Sequence, residues 1–185
     1  MLNLCSNDDQ LGVVLSHEMA HAILGHSAEI LSHAAFFDIL LMIILGLIWA
    51  LIPSDLFAAL IHISFNKLMQ VTLELPYNRK LETEADEIGL TLASKACFDV
   101  RESVVFWKKM AFLELLELDL PPGIEMPKEI EFLLTHPSHE SRAKNLDSLL
   151  PDAIKLRDSC NCPRLPLKDP RVILEQKIQM MEKQN

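Results

Sequence analysis

The sequence predicts a mainly α protein, and three observations carry that prediction. Only five glycines and one tyrosine stand against many Leu, Ile, Ala and Glu residues, which favours helix over sheet. Apolar residues recur at helical spacing between Asn, Asp and Ser caps and proline breaks. No segment forms a convincing strand. A chain of 185 residues without internal repeats suggests one domain with a core of ordinary size.

Asn7, Asp8 and Asp9 are N-cap candidates ahead of an apolar segment, so a first helix is expected from about residue 9 to 32. Residues 39 to 52 carry no charge, and Pro53-Ser54-Asp55 supplies a break and a new cap, so residues 34 to 73 read as an apolar helical hairpin. Fourteen uncharged residues fall short of the roughly twenty needed to cross a bilayer, and the second arm carries His62, Asn66 and Lys67. Two readings stay open here: a buried core pair, or an insertion lying in, but not cleanly through, a membrane.

Residues 79 to 97 give a third helical pattern, with Leu81, Ala85, Ile88 and Leu92 on one face and acidic residues on the other. Asp99 and Glu102 resemble a capping box at the start of a helix through about Leu118, ahead of Pro121-Pro122-Gly123. Two short helices, 128 to 134 and 138 to 150, are expected to flank T-H-P-S-H-E. Residues 163 to 185 read as a proline-rich linker and a peripheral helix of mixed charge, outside a domain spanning 1 to 162.

A net charge of -9 argues against nucleic acid as a partner, because phosphate binding needs clustered Lys and Arg. Cys5, Cys97, Cys160 and Cys162 lack zinc-ribbon spacing and read as loop cysteines; a disulfide requires an oxidising compartment. The acidic, polar N-terminus MLNLCSNDDQ is neither a secretory signal nor an Arg-rich transit peptide.

The chemistry concentrates in VLSHEMAHAILGH, residues 14 to 26. His17 and His21 are four residues apart and share one helical face, so two imidazoles reach one ion. Glu18 lies beside that stripe, where its carboxylate can hold a water rather than bind metal. This is the H-E-x-x-H arrangement of zinc peptidases, although a buried helix with two satisfied histidines has the same pattern. A third ligand is needed. The metzincin route fails, because its glycine and histidine positions are Leu24 and Ser27, and His26 lies about 140° around the same helix. Further on, Glu82 and Asp86 are again four apart, with Arg79 one turn before. Glu82 can ligate while Asp86 accepts the N–H of a liganding histidine. By spacing alone, a solvated acidic face is the stronger reading of Glu82.

HEMAHAILGH, followed after the apolar insertion by RKLETEADEIGL and then LLTHPSHESR, resembles the zinc metallopeptidases that include the bacterial membrane protease HtpX and the eukaryotic CAAX prenyl proteases. With CNCP near the tail, the three blocks are most similar to the OMA-type branch of the mitochondrial inner membrane. The resemblance implies a zincin-like helical metallopeptidase domain with the apolar hairpin as an insertion. It implies one Zn2+ per chain held by His17, His21 and Glu82, with Glu18 as general base. The family's E-x-x-x-D pattern falls on Glu82 and Asp86, and its H-P-x-x-x-x-R pattern on His136, Pro137 and Arg142. His136 is then expected to face the active site and stabilise the oxyanion, with Asp86, Arg79 and Arg142 around the ligands. His139 has no match and is expected at the surface.

The function implied is a zinc-dependent endopeptidase acting on inner mitochondrial membrane proteins in stress-responsive quality control, the dynamin-like fusion GTPase among them. Implied partners are those substrates and the membrane, with a homo-oligomer compatible. Family members place a substrate-aligning strand ahead of the H-E-x-x-H helix, whereas sixteen residues precede His17. The N-terminal strand region is therefore expected to be missing, and the chain to be a fragment, a truncated isoform or an incomplete gene model. The rival reading is a truncated, inactive relative serving as a zinc-binding or helical interaction module.

Overall fold

The computed structural model describes residues 4–51, 55–69, 75–117 and 138–182. Helices α1 (Asp8–Leu24), α2 (His26–Leu51), α3 (Asp55–Met69), α4 (Leu75–Lys95), α5 (Arg101–Glu117), α6 (His139–Ser159) and α7 (Pro170–Glu182) follow one another, and no strand occurs among the described residues. The expected helix at 128 to 134, the Pro121-Pro122-Gly123 stop, His136 and Pro137 lie outside them.

Asn7 starts α1 by accepting the Gln10 N–H on its side-chain oxygen at 2.8 Å, and Asp8 and Asp9 complement the helix dipole. The expected single helix to residue 32 is instead two. Gly25 takes φ 71°, where a side chain is strained, and caps α1 while α2 begins at His26.

The core lies between α1, α4, α5 and α6, built on Val13, Leu90, Val104, Phe106, Leu146 and Leu150. The α1–α4 contact is close because position 89 is glycine: a Cβ there would stand 2.8 Å from the His17 Cα. The pairs His17–Asp86 and His21–Glu82 then show that the two helices run antiparallel.

Glu102 does not complete a capping box. It accepts from Asn7 Nδ2 at 2.9 Å and Gln10 Nε2 at 2.7 Å, fastening α5 to the start of α1, while Asp9 accepts the Asp99 N–H at 2.9 Å. Helix α6 runs through Pro151 rather than stopping at 150, because buried Leu146, Leu150 and Ala153 hold both sides of it to the core. Beyond that proline, buried Arg157 donates to the carbonyls of Cys97, Phe98 and Pro163. Cys97 and Cys162 form a disulfide with Cα atoms 5.3 Å apart, and Cys5 and Cys160 are free.

The hairpin reaches further than its uncharged residues suggested. Helix α2 has 26 residues, about 39 Å, and is long and apolar enough to cross a membrane by length and composition. Of its residues only His26 and Leu41 are buried, whereas Phe36, Ile43 and Leu47 are exposed, so apart from Leu41 the apolar side chains of α2 are left exposed or half-buried.

Gly89→Ala is expected to cost about 1–3 kcal/mol of stability, because backbone rather than a flexible side chain must yield. Gly46→Ala, where an added Cβ meets nothing within 4 Å, is the control and is expected to cost nothing. Denaturant midpoints of the two variants check this.

Candidate metal centre

Helix α1 supplies His17 and His21 one turn apart, and α4 supplies Glu82 and Asp86 one turn apart on the facing side. Antiparallel packing brings Glu82 against both imidazoles. The Nε2 atoms of His17 and His21 are 3.1 Å apart, Glu82 Oε2 is 3.4 Å from His17 Nε2, and Glu82 Oε1 is 3.7 Å from His21 Nε2. Donors around a tetrahedral zinc, with bonds of about 2.0–2.1 Å, stand about 3.3 Å apart. The three donor groups therefore fit a cation of that size.

Asp86 orients the first ligand. Its Oδ1 lies 3.1 Å from His17 Nδ1, so His17 donates Nδ1–H and keeps its Nε2 lone pair for the shared point. Asp86 is held in turn by Arg142, whose Nε and Nη2 meet its two oxygens at 2.9 and 2.6 Å. Nη1 of the same guanidinium is 3.1 Å from Glu82 Oε2. Arg142 also lies over the Trp107 ring, 3.6 Å from its centroid, and Trp107 meets His17 edge-on at 6.3 Å. Both Asp86 and Arg142 are buried.

These contacts set opposite tendencies in the two imidazoles. Burial pulls the His17 pKa down, but its hydrogen bonds to Asp86 and Glu82 outweigh burial and the Arg142 charge, and the pKa is raised. His21 is lowered, by burial first and then by His17, which favours the neutral form that ligates.

Glu18 is exposed, one residue from His17, and lines an open cavity of about 500 Å3 with His17, His21, Glu82, Trp107 and Arg142. A carboxylate beside three converging donors in an open cavity can exchange protons with a bound water. Arg79 sits one turn before Glu82 on α4, half-buried, and does not line this cavity.

His139 is a correction. Expected at the surface, it stacks on Trp107 with ring centroids 5.3 Å apart and lines the cavity. The reason is helical phase: Arg142, three residues later on α6, is tied to Asp86, so the residue one turn before it faces the same way. Trp107 and Gly89 were not found by sequence reasoning, since a core tryptophan and a helical glycine have no distinguishing local pattern.

Residues 1–150 match peptidase family M48. The human mitochondrial metalloendopeptidase OMA1 is 46% identical over 174 residues, covering 94% of this chain and 32% of the human protein. The Danio rerio protein of the same name is 44% identical over 181 residues, covering 98% of this chain and 36% of its own length. The Saccharomyces cerevisiae mitochondrial metalloendopeptidase OMA1 is 35% identical over 162 residues, covering 88% and 42%. The chain thus spans about a third of the length of the animal relatives. No solved structure matches it significantly.

Arg142→Leu is expected to destabilise the fold by about 3–5 kcal/mol, since it leaves Asp86 and Glu82 without their counter-charge. Arg142→Lys is expected to recover only part of this, because an ammonium cannot meet both Asp86 oxygens and lie flat on Trp107. Thermal and denaturant unfolding of the metal-free chain reads both.

Proposed function

The chain belongs to peptidase family M48, and on that premise we propose that it is a zinc-dependent endopeptidase of OMA type, acting on proteins of the mitochondrial inner membrane. The observation that carries the proposal is the convergence of His17, His21 and Glu82, their donor atoms within 4.8 Å of one another, beside the exposed Glu18 in an open cavity. The mitochondrial setting rests on the names of the relatives. The inner membrane, the stress response and the dynamin-like fusion GTPase as a substrate rest on the likeness of the three motif blocks to OMA-type proteases.

His17, His21 and Glu82 are the residues that would hold the ion. The chemistry it would supply there is Lewis acidity, acidifying water and polarising the scissile carbonyl. Glu18 is the general base: its carboxylate takes the proton of the attacking water and returns it to the leaving amine. Asp86 and Arg142 keep the His17 ring and the Glu82 carboxylate in place, so that little reorganisation is needed as the water loses its proton. By the H-P-x-x-x-x-R pattern, His136 is the donor to the oxyanion.

The hairpin is proposed as the membrane-associated part of a peptidase domain over residues 1–162. Support comes from the length of α2 and from the exposed apolar side chains of both arms, among them Leu47, Trp49, Leu60 and Ile63. Partition of the purified chain into liposomes is the expected result. Clean monomeric behaviour in detergent-free buffer would count against it.

Glu18→Gln is expected to retain zinc and lose nearly all hydrolysis of a peptide substrate, while Glu82→Ala loses zinc itself. His136→Ala is expected to retain zinc and lose rate by about a hundred-fold or more, the effect of one oxyanion donor. Elemental analysis and rates on the same preparations check all three; near wild-type hydrolysis by Glu18→Gln would sink the mechanism.

A further inference from the structure

Sequence spacing put His26 on the far side of the histidine helix, yet the break at Gly25 brings it back to the site. With Gly25 at φ 71°, α2 starts at His26 and its ring folds against α1. His26 Nδ1 lies 2.8 Å from His21 Nδ1, with ring centroids 4.8 Å apart and planes at 77°. At 2% exposure, His26 is more deeply buried than either neighbouring histidine of the site. A buried polar ring persists only with a partner, and here the partner is a metal-ligand candidate.

Two imidazole nitrogens at this distance share one hydrogen, so one ring donates and the other accepts. The opposite nitrogen of His26 decides which. His26 Nε2 is buried without a hydrogen-bond partner, but Glu84 Oε2 on α4 stands 3.9 Å away, and its negative charge favours a hydrogen rather than a lone pair on Nε2. Its Nδ1 is then a lone pair, and the shared hydrogen belongs to His21 Nδ1. The His21 Nε2 lone pair is left facing His17 Nε2 and Glu82, as ligation requires. His17 is fixed in the same sense by the Asp86 carboxylate, so the two ligands have different acceptors behind them.

We infer that His26 is a positioning residue for the metal centre, holding His21 as the Nδ1–H tautomer with its ring turned towards His17 and Glu82. This rests on the proposed metal site at His17, His21 and Glu82. His26 neither binds the ion nor touches substrate; it acts through His21.

The test uses the full chain in detergent, with zinc as the probe and a chromophoric chelator as competitor. His26→Leu fills the site but accepts no hydrogen bond, and is expected to weaken zinc binding by about ten- to a hundred-fold. His26→Asn can bring its side-chain oxygen to the place of Nδ1 and is expected to restore binding close to wild type, a rescue that a packing role does not give. A second measurement needs no variant. Long-range proton–nitrogen spectra of the metal-free chain, with labelled histidines, are expected to find the His21 hydrogen on Nδ1.

A His21 hydrogen found on Nε2 overturns the inference, as does unchanged zinc affinity in folded His26→Leu. If His26→Leu does not fold, the tautomer and the His26→Asn affinity decide. A wild-type chain that binds no zinc overturns the metal-site reading and this inference with it, whereas zinc binding indifferent to His26 overturns this inference alone.

Discussion

How closely α4 approaches α1 at Gly89 determines whether this site exists. Each helix alone presents a pair of polar side chains one turn apart, and neither pair is a site. The missing Cβ at position 89 lets the α4 backbone lie against His17 itself. Asp86, three residues before Gly89, then comes level with His17, and Glu82, one turn further, reaches both imidazoles. A side chain at 89 would push the helices apart by part of an ångström or more, and hydrogen bonds of about 3 Å tolerate little of that.

Such an approach buries charge, and the charge has to be balanced. With neutral imidazoles, Glu82, Asp86 and Arg142 leave one net negative charge between α1, α4 and α6. That excess negative charge favours a cation between the Nε2 atoms, and at His17 the hydrogen bonds to Asp86 and Glu82 outweigh burial and raise the pKa. Arg142 suits the arrangement better than lysine would, since one planar group meets both carboxylates while its face rests on Trp107. The same guanidinium fixes the phase of α6, which turns His139 into the cavity.

What the sequence made legible was local. The i, i+4 spacings of His17 with His21 and of Glu82 with Asp86 follow from helix geometry alone, and the mainly α fold follows from composition and caps. The late H-P-x-x-x-x-R pattern pointed to Arg142 only through family resemblance, because its partners are 56 and 125 residues away. Gly25 was passed over, although a glycine after a run of helical residues is a stop signal, because the apolar pattern continues across it. That single miss misplaced two things: the end of α1 and the direction of His26. Glu102 misled in the opposite way, since its capping-box spacing was genuine but the side-chain amides of Asn7 and of buried Gln10 took its carboxylate.

The break at Gly25 also explains how an apolar helix and a charged site share one frame. His26 opens α2 and touches His21, so the direction in which the apolar helix leaves the domain and the orientation of a ligand candidate are set at the same residue. One turn on, the start of α2 is fixed to α4 as well: Tyr77 donates its hydroxyl hydrogen to Glu29 at 2.5 Å, and its ring stacks on His33 at 4.4 Å. The first two turns of α2 are thus tied to the helix that supplies Glu82, and beyond them its side chains are almost wholly apolar, with Leu41 buried and the rest exposed or half-buried. A hairpin seated in a membrane would for that reason carry α1 and α4 with it as one unit, and the cavity lined by Glu18 would keep a fixed relation to the membrane surface.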